Sequence, residues 1–480
     1  MNYPIILQIL GKVLRITGLL MLIPAGLSVC YQDGCAAALG GVALGMVLLG
    51  SLLVFSFRKA SKTLYAREGF LIVALAWFGI SVCGALPFVI TGEIPNFIDA
   101  FFETVSGFTT TGSTLLTDIE SMSKSLLFWR SFTHWIGGMG VLVFVMAVVP
   151  LAGNRAMHLL RAEAPGPVVE KMVPKARTNA LLLYAIYIGI TLLEILFLLP
   201  SGMPLYDCFI TTFGTVGTGG YSNLSASIAG YNSPYVEGVV TAFMFLCGIN
   251  FSVLYAAVLR RNFKAWKSEE LRWYILILAV SVLIITVNIL PIYPKVTTAF
   301  RYAVFQAVSV NTTTGYATAD FNRWPELSKM VLLGLMLFGC CAGSTGGGLK
   351  TVRVVIAVKG LGREVRRMLH TRSVSILQFE GKPVREETAN AIFLYIVFYV
   401  AILAVSTFLI AVDGFDFTSN FTAVLATLSN IGPGLNMVGP AGSFADYSGF
   451  SKLVLCLDML LGRLEIYPLI LACMPSTWKR

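Results

Sequence analysis

Apolar residues arrive along this chain in runs of two lengths. The long runs cover about 10–29, 36–57, 70–91, 126–150, 179–199, 236–259, 271–290, 330–358, 389–411 and 450–473. Each is long enough for a helix to cross a hydrocarbon core, which takes about 20 residues. The short runs, 97–108, 206–215, 299–310 and 417–429, each fall between two long ones. Runs of about 10–14 residues are too short to span and read as re-entrant segments. The order long, short, long recurs four times after two leading runs, and such internal repetition decides the fold before any single motif does. The pattern predicts an all-α membrane protein with ten transmembrane helices: two extra helices, then four pseudo-repeated helix–pore-loop–helix units around one central pore. The leading pair occupies 1–67 and the repeats 68–177, 178–267, 268–387 and 388–480.

Every short run ends in one phrase. It is clearest at Asn311-Thr312-Thr313-Thr314-Gly315-Tyr316 and returns at Thr109-Thr110-Thr111-Gly112-Ser113 and Val216-Gly217-Thr218-Gly219-Gly220-Tyr221. A decayed copy stands at Asn430-Ile431-Gly432-Pro433, where Ile replaces Thr and proline stiffens the following residue. Non-helical backbone at membrane depth is tolerated only where it is buried in protein or lines a watery cavity. Glycine permits φ > 0 and puts no side chain in an ion's way. Successive carbonyls can then replace the water around a dehydrated cation, as potassium-channel filters do. The half-helices also aim the negative ends of their dipoles at the axis. A lone Thr-Gly step is an ordinary helix cap, but four at matching places in four repeats make four walls of one pore. The ion-binding candidates are Thr110, Thr111, Gly112, Val216, Thr218, Gly219, Thr313, Thr314, Gly315, Asn430, Ile431 and Gly432.

Composition agrees with a bilayer. The chain is 56% hydrophobic and 12% charged, against about 25% charged residues in soluble domains. Its net charge of +10 forms no single patch for nucleic acid. Lys and Arg recur instead in islands at 58–67, 155–177, 260–272, 350–385 and 479–480, with Lys12 and Arg15 before them. The islands alternate with poorly basic loops, and the positive-inside rule puts them, with both termini, in the cytoplasm. The short segments then enter from outside, where Glu93, Asp99, Glu103, Asp207, Asp413 and Asp416 give a cation-attracting mouth. Lys12 and Arg15 interrupt the first apolar run and no small-x-small cleavage site follows, so it reads as a permanent helix. The nine cysteines lack metal-ligand spacing. Cys30 and Cys35 flank a loop and would bridge only in an oxidising space; two free thiols are the preferred reading.

Two stretches carry a family resemblance. Phe101-Phe102-Glu103-Thr104-Val105-Ser106-Gly107-Phe108 leading into the first Thr-Gly step resembles the first filter of the Trk/Ktr/HKT superfamily of cation transporters. So does Phe128-Trp129-Arg130-Ser131-Phe132-Thr133-His134-Trp135-Ile136-Gly137-Gly138-Met139-Gly140 after it. The two leading helices favour the bacterial TrkH branch over the shorter KtrB proteins. The resemblance implies a potassium-uptake subunit of the bacterial cytoplasmic membrane, with filter glycines Gly112, Gly219, Gly315 and Gly432. Plant relatives with Ser at the first of these favour sodium, so Gly112 points to potassium. It further implies a homodimer with one pore per protomer, a cytosolic TrkA-type nucleotide-binding ring, and no cofactor beyond K+ in the pore.

The second helix of the third repeat is interrupted by Gly339-Cys340-Cys341-Ala342-Gly343-Ser344-Thr345-Gly346-Gly347-Gly348. Each glycine costs about 1 kcal/mol against Ala in a helix, which predicts an unwound stretch. The other repeats show no comparable run, so the break is expected in this wall alone. Gly343, Ser344, Thr345, Gly346, Gly347 and Gly348 form the expected gate, a loop across the pore below the filter. A small-residue helix contact is the plainer alternative. Arg463, deep in the last apolar run, has the donors to hold loop carbonyls and is charged on the cation path; the resembling family gives an Arg in this motif that part. Its alternatives are pairing with Glu465 or reaching to the cytoplasm. Arg130 reads as a structural partner for an outer-mouth acid. The 350–385 island, with Gln378-Phe379-Glu380-Gly381-Lys382-Pro383 at its centre, is the longest cytoplasmic excursion and the natural docking surface for a regulator.

Two other classes of function compete. A membrane enzyme lacks support: His134, His158 and His370 are scattered and no HExxH helix or pair of intramembrane acids is present. A sodium- or proton-coupled alternating-access symporter keeps transport but is usually built from inverted repeats around a midplane site.

Overall fold

The computed structural model describes residues 1–60, 65–140, 176–370 and 376–478. The expected helix end at 141–150, His158 and most of the 155–177 island lie outside them, as do residues 371–375 and 479–480. Among the described residues, six helices are long and apolar enough to cross a membrane unbroken. They are α1 (Tyr3–Tyr31), α2 (Ala36–Ser56) and the first helix of each repeat: α3 (Ala66–Thr91), α6 (Ala176–Leu198), α10 (Glu269–Ile289) and α14 (Glu386–Ile410). Their outer faces leave Leu48, Leu192, Leu283 and Phe408 more than half exposed, the apolar dress of a lipid-facing surface. The leading pair packs backbone to backbone. A methyl on Gly50 would stand 2.5 Å from the Gly11 carbonyl oxygen, so small residues set the distance between these helices.

Between first and second helices lie four short ones: α4 (Phe97–Phe108), α7 (Leu205–Val216), α11 (Val296–Asn311) and α15 (Phe417–Leu428). They begin where polar caps allow: Asn96 accepts from the Ile98 amide and Asp416 from that of Ser419, satisfying donors that a helix start leaves orphaned. Their second halves are fully buried, and they converge at the centre of the bundle.

The second helices correct one expectation, because the third repeat is not alone in its break. There α12 (Glu326–Leu337) and α13 (Thr351–Leu369) are separated by residues 338–350. In the second repeat α8 (Pro234–Cys247) meets α9 (Phe251–Leu254) at a bend of 98°. In the fourth, α16 (Gly449–Arg463) is parted from α17 (Tyr467–Cys473) by Leu464, Glu465 and Ile466. In the first, α5 (Lys124–Gly138) ends at Met139, and Gly140 turns left-handed with φ 83°. The reason is close approach to the short helices. A methyl on Gly137 would lie 1.8 Å from the Phe108 carbonyl oxygen, and one on Gly462 2.1 Å from that of Leu428.

Cys30 and Cys35 are free thiols, the latter buried with Sγ 3.4 Å from Ser123 Oγ. Beyond α13 a two-stranded hairpin pairs Gln378 with Pro383 and Phe379 with Lys382. Its Leu377 and Phe379 join Ala342, Val352, Val355, Ile356, Ala389 and Ile392 in a small apolar cluster separate from the main core.

Candidate cation pathway

All four short helices end in the same backbone figure. After α4, the Thr109 amide donates to Val105 O at 2.8 Å and the Thr111 amide to Ser106 O at 2.9 Å. Matching pairs are Gly217 to Phe213 and Gly219 to Gly214, Thr312 to Val308 and Thr314 to Ser309, and Ser429 to Leu425 and Ile431 to Ala426. Between them Thr110, Thr218, Thr313 and Asn430 are left-handed, at φ 55°, 54°, 60° and 55°. Two residues on, Gly112, Gly220, Gly315 and Gly432 are left-handed again, at φ 82°, 75°, 80° and 101°. The backbone thereby moves the second repeat by one residue: the equivalent of Gly112 is Gly220, not Gly219, and Val216 is the last residue of α7 rather than part of the loop. Gly219 corresponds to Thr111, Thr314 and Ile431. Aligning on the tyrosines that follow Gly220 and Gly315 is the signal that finds this register.

The four loops close a ring. A methyl on Gly112 would stand 2.0 Å from Gly219 O, on Gly220 2.0 Å from Thr314 O, on Gly315 1.9 Å from Ile431 O, and on Gly432 2.8 Å from Thr111 O. Each glycine therefore packs on the carbonyl of the residue preceding the glycine of the next repeat, around a full circuit. No side chain fits at these positions, whatever its chemistry.

Hydroxyls and rings support the loops from behind. Ser106 Oγ donates to Ser113 O and Ser309 Oγ to Tyr316 O, both at 2.7 Å. The Tyr316 hydroxyl reaches Thr211 O and Tyr221 O at 3.0 and 3.1 Å. His134 bonds Gly107 O through Nδ1 at 2.7 Å and stacks on Tyr221. Asn430 joins the fourth repeat to the first by donating to Thr111 Oγ1, and also donates to Met459 O of its own repeat, both at 2.9 Å. On one side of the ring Gly112, Gly220, Gly315 and Gly432 all border one cavity of about 80 Å³.

On the other side lies the interrupted stretch of the third repeat, which contacts the second, third and fourth repeats directly and is linked to the first through Arg463. The Gly347 amide donates to Thr313 Oγ1 at 2.8 Å, and a methyl on Gly347 would meet Ser429 O at 2.6 Å. Cys341 N bonds Gly248 O at 3.1 Å, and Phe251 N bonds Gly343 O at 3.0 Å. Arg463 donates to Thr345 O at 2.7 Å and to Gly137 O and Gly138 O at 2.6 and 2.7 Å. It thus ties the loop to the first repeat from the fourth. Glu465 is not its partner, being paired with Arg353 of α13. Three anchors were not singled out in the sequence: Glu270, accepting from the Ala342 amide at 2.7 Å; Lys350, donating to Gly346 O; and the Arg353–Glu465 pair. Gly343, Ser344, Gly346, Gly347, Gly348 and Arg463 border a cavity of about 120 Å³.

The carboxylates expected at an outer mouth are largely engaged. Glu103 is buried rather than at an open mouth, because Arg130 reaches it at 2.6 Å while stacking 3.4 Å over Tyr221. Asp99 pairs with Lys452 at 2.7 Å, and Asp207 accepts from Asn223 at 2.9 Å. Among the described residues no group of three or more His, Cys, Asp or Glu could hold a resident metal ion.

A helical membrane chain whose four half-helices end in a ring of glycines and carbonyls defines the class, a helical membrane transporter. The TrkH family model, described as cation transport protein, matches residues 42–479. The chain belongs to this family. It is 35% identical to the Trk system potassium uptake protein TrkH of Salmonella typhimurium, over 100% of both chains. It is 34% identical to TrkG of Escherichia coli, over 88% of each. The crystal structure of the potassium transporter TrkH from Vibrio parahaemolyticus superposes with a TM-score of 0.90 at 31% identity, covering 100% of both chains.

Proposed function

We propose that this protein carries potassium into a bacterial cell across the cytoplasmic membrane, through a carbonyl filter at Gly112, Gly220, Gly315 and Gly432. The observation that carries this reading is the closed circuit of glycine-on-carbonyl contacts around the four repeats. Carbonyl oxygens at Thr111, Gly219, Thr314 and Ile431, brought together by left-handed turns, suit replacement of the hydration shell of an alkali cation. The six unbroken helices and the second helix of each repeat together make ten crossings, with both termini cytoplasmic. The loop at residues 338–350 is the gate, held shut by Arg463. The relatives' names, potassium uptake and potassium transporter, support potassium as the cargo. The remaining components of the reading are a homodimer and a cytosolic nucleotide-binding regulator of TrkA type.

Purified protein in proteoliposomes under opposed potassium and sodium gradients tests the core of it. The expected reversal potential follows the potassium gradient. A potential that ignores both gradients overturns the reading; one that follows an imposed proton gradient identifies a coupled symporter instead.

A further inference from the structure

The start of α10 is capped from a distant part of the chain. Its N-cap residue, Ser268, makes no capping bond with its own side chain. Instead Glu380 Oε1 accepts from Ser268 Oγ and the Glu269 amide at 2.7 Å and from the Glu270 amide at 3.3 Å. The Glu380 amide returns a bond to Glu269 Oε2 at 3.1 Å. Lys359 adds a tie, pairing with Glu269 and donating to Gln378 O.

Glu380 sits at the tip of the hairpin, where Glu380 and Gly381 have φ 54° and 69°. Two central residues at positive φ define a type I′ turn, whose first place belongs by preference to Asn or Asp. Glutamate adopts that conformation rarely. Here its longer side chain reaches three donors on α10.

Glu270 carries the link inward. Its backbone amide is held by the hairpin tip, and its carboxylate holds the Ala342 amide in the loop below the filter. Ala342 also shares its apolar cluster with Leu377 and Phe379 of the hairpin arm. A cavity of about 250 Å³ opens alongside, bordered by Asn250, Glu270, Ala342, Phe379 and Glu380, so the loop has space to move into.

We propose that Glu380 is a positioning residue of the gate: seated on the start of α10, it keeps the loop in place through Glu270. This rests on the gate reading above. The test uses the full chain in proteoliposomes without any partner, comparing Glu380→Asn and Glu380→Ala with wild type and with Arg463→Ala. Asn suits the turn better than Glu, so Glu380→Asn keeps the hairpin while shortening the arm that reaches α10. Rubidium uptake is expected to rise about two- to tenfold, the range set by losing a helix cap. Amide exchange in residues 339–348 is expected to quicken while exchange in α7 and α15 stays unchanged. Wild-type uptake and exchange in Glu380→Asn, in preparations where Arg463→Ala raises uptake, overturn the proposal and leave the gate reading standing. Exchange that quickens everywhere also overturns it, assigning Glu380 to general stability. Uptake unmoved by Arg463→Ala brings down the gate reading, and this proposal with it.

Discussion

The ring of four glycines and the loop beside it are both built from glycine-rich backbone, yet they use it in opposite ways. In the ring the four glycines repeat one conformation and one contact around the circuit, and each contact is to another repeat's carbonyl. Nothing can shift without displacing its neighbour. The loop belongs to one repeat, has no counterpart of its length among the described residues, and is held by side chains from outside it: Arg463, Glu270 and the hydroxyl of Thr313. Symmetric main-chain contact makes a fixed aperture. Asymmetric side-chain anchorage makes a part that can be let go.

The ring should fail hardest. Gly315→Ala puts a methyl where 1.9 Å separates it from Ile431 O, at φ 80°. The left-handed backbone alone costs about 1–2 kcal/mol, and the neighbouring carbonyl must also turn. Potassium uptake should fall by about tenfold or more, and potassium-over-sodium preference should fall with it. Retained selectivity, read from reversal potentials, would contradict the ring's part in ion binding.

The loop should respond in the other direction. Arg463→Ala removes charge-assisted bonds to Thr345, Gly137 and Gly138, each worth about 1.5–3 kcal/mol when made to a charged group. Much of that is offset by water entering the gap, so an increase in uptake of about three- to tenfold is expected, with selectivity unchanged. A fall in both would place Arg463 with the ring rather than with the gate.

How far these two regions could be read from residue order differs for a physical reason. The ring follows from local rules: an apolar run of fixed length, then glycine. The ends of α4 at Phe97 and Phe108 coincide with the apolar run, and the other three short helices lie within a few residues of theirs. Adjacent glycines defeat such rules, which is why Gly219 and Gly220 exchange roles. The interruptions in the other second helices were hidden for a related cause. Gly248 and Gly462 are single glycines, tolerable in a helix, and only their neighbours reveal the close approach. At Glu465 and Ile466, with φ 55° and 68°, no glycine marks the turn at all. An isoleucine in that region is a conformational outlier, sustained by the Arg353–Glu465 pair and by full burial of Ile466. Glu270 and Glu380 were illegible because their partners lie far along the chain.

The smallest effect belongs to the outer rim, which serves neither ring nor loop directly. Hydrogen bonds from the Ser419 hydroxyl and amide, joined by the Asn436 side chain, hold the Asp416 carboxyl below the ordinary carboxylate range. A carboxyl depressed by folding stabilises the protein above its unfolded value, about 3.9, and that contribution is lost as the pH falls through the folded value. Asp416 is exposed, so water screens most of the effect. Asp416→Asn should lower the thermal midpoint by about 1 °C at neutral pH, and the gap should close as the pH approaches about 3. Ion preference should not move, since Asp416 caps the far end of α15 from the loop containing Asn430 and Gly432. An equal midpoint difference at both pH values would mean that the amide fails the cap through shape rather than charge.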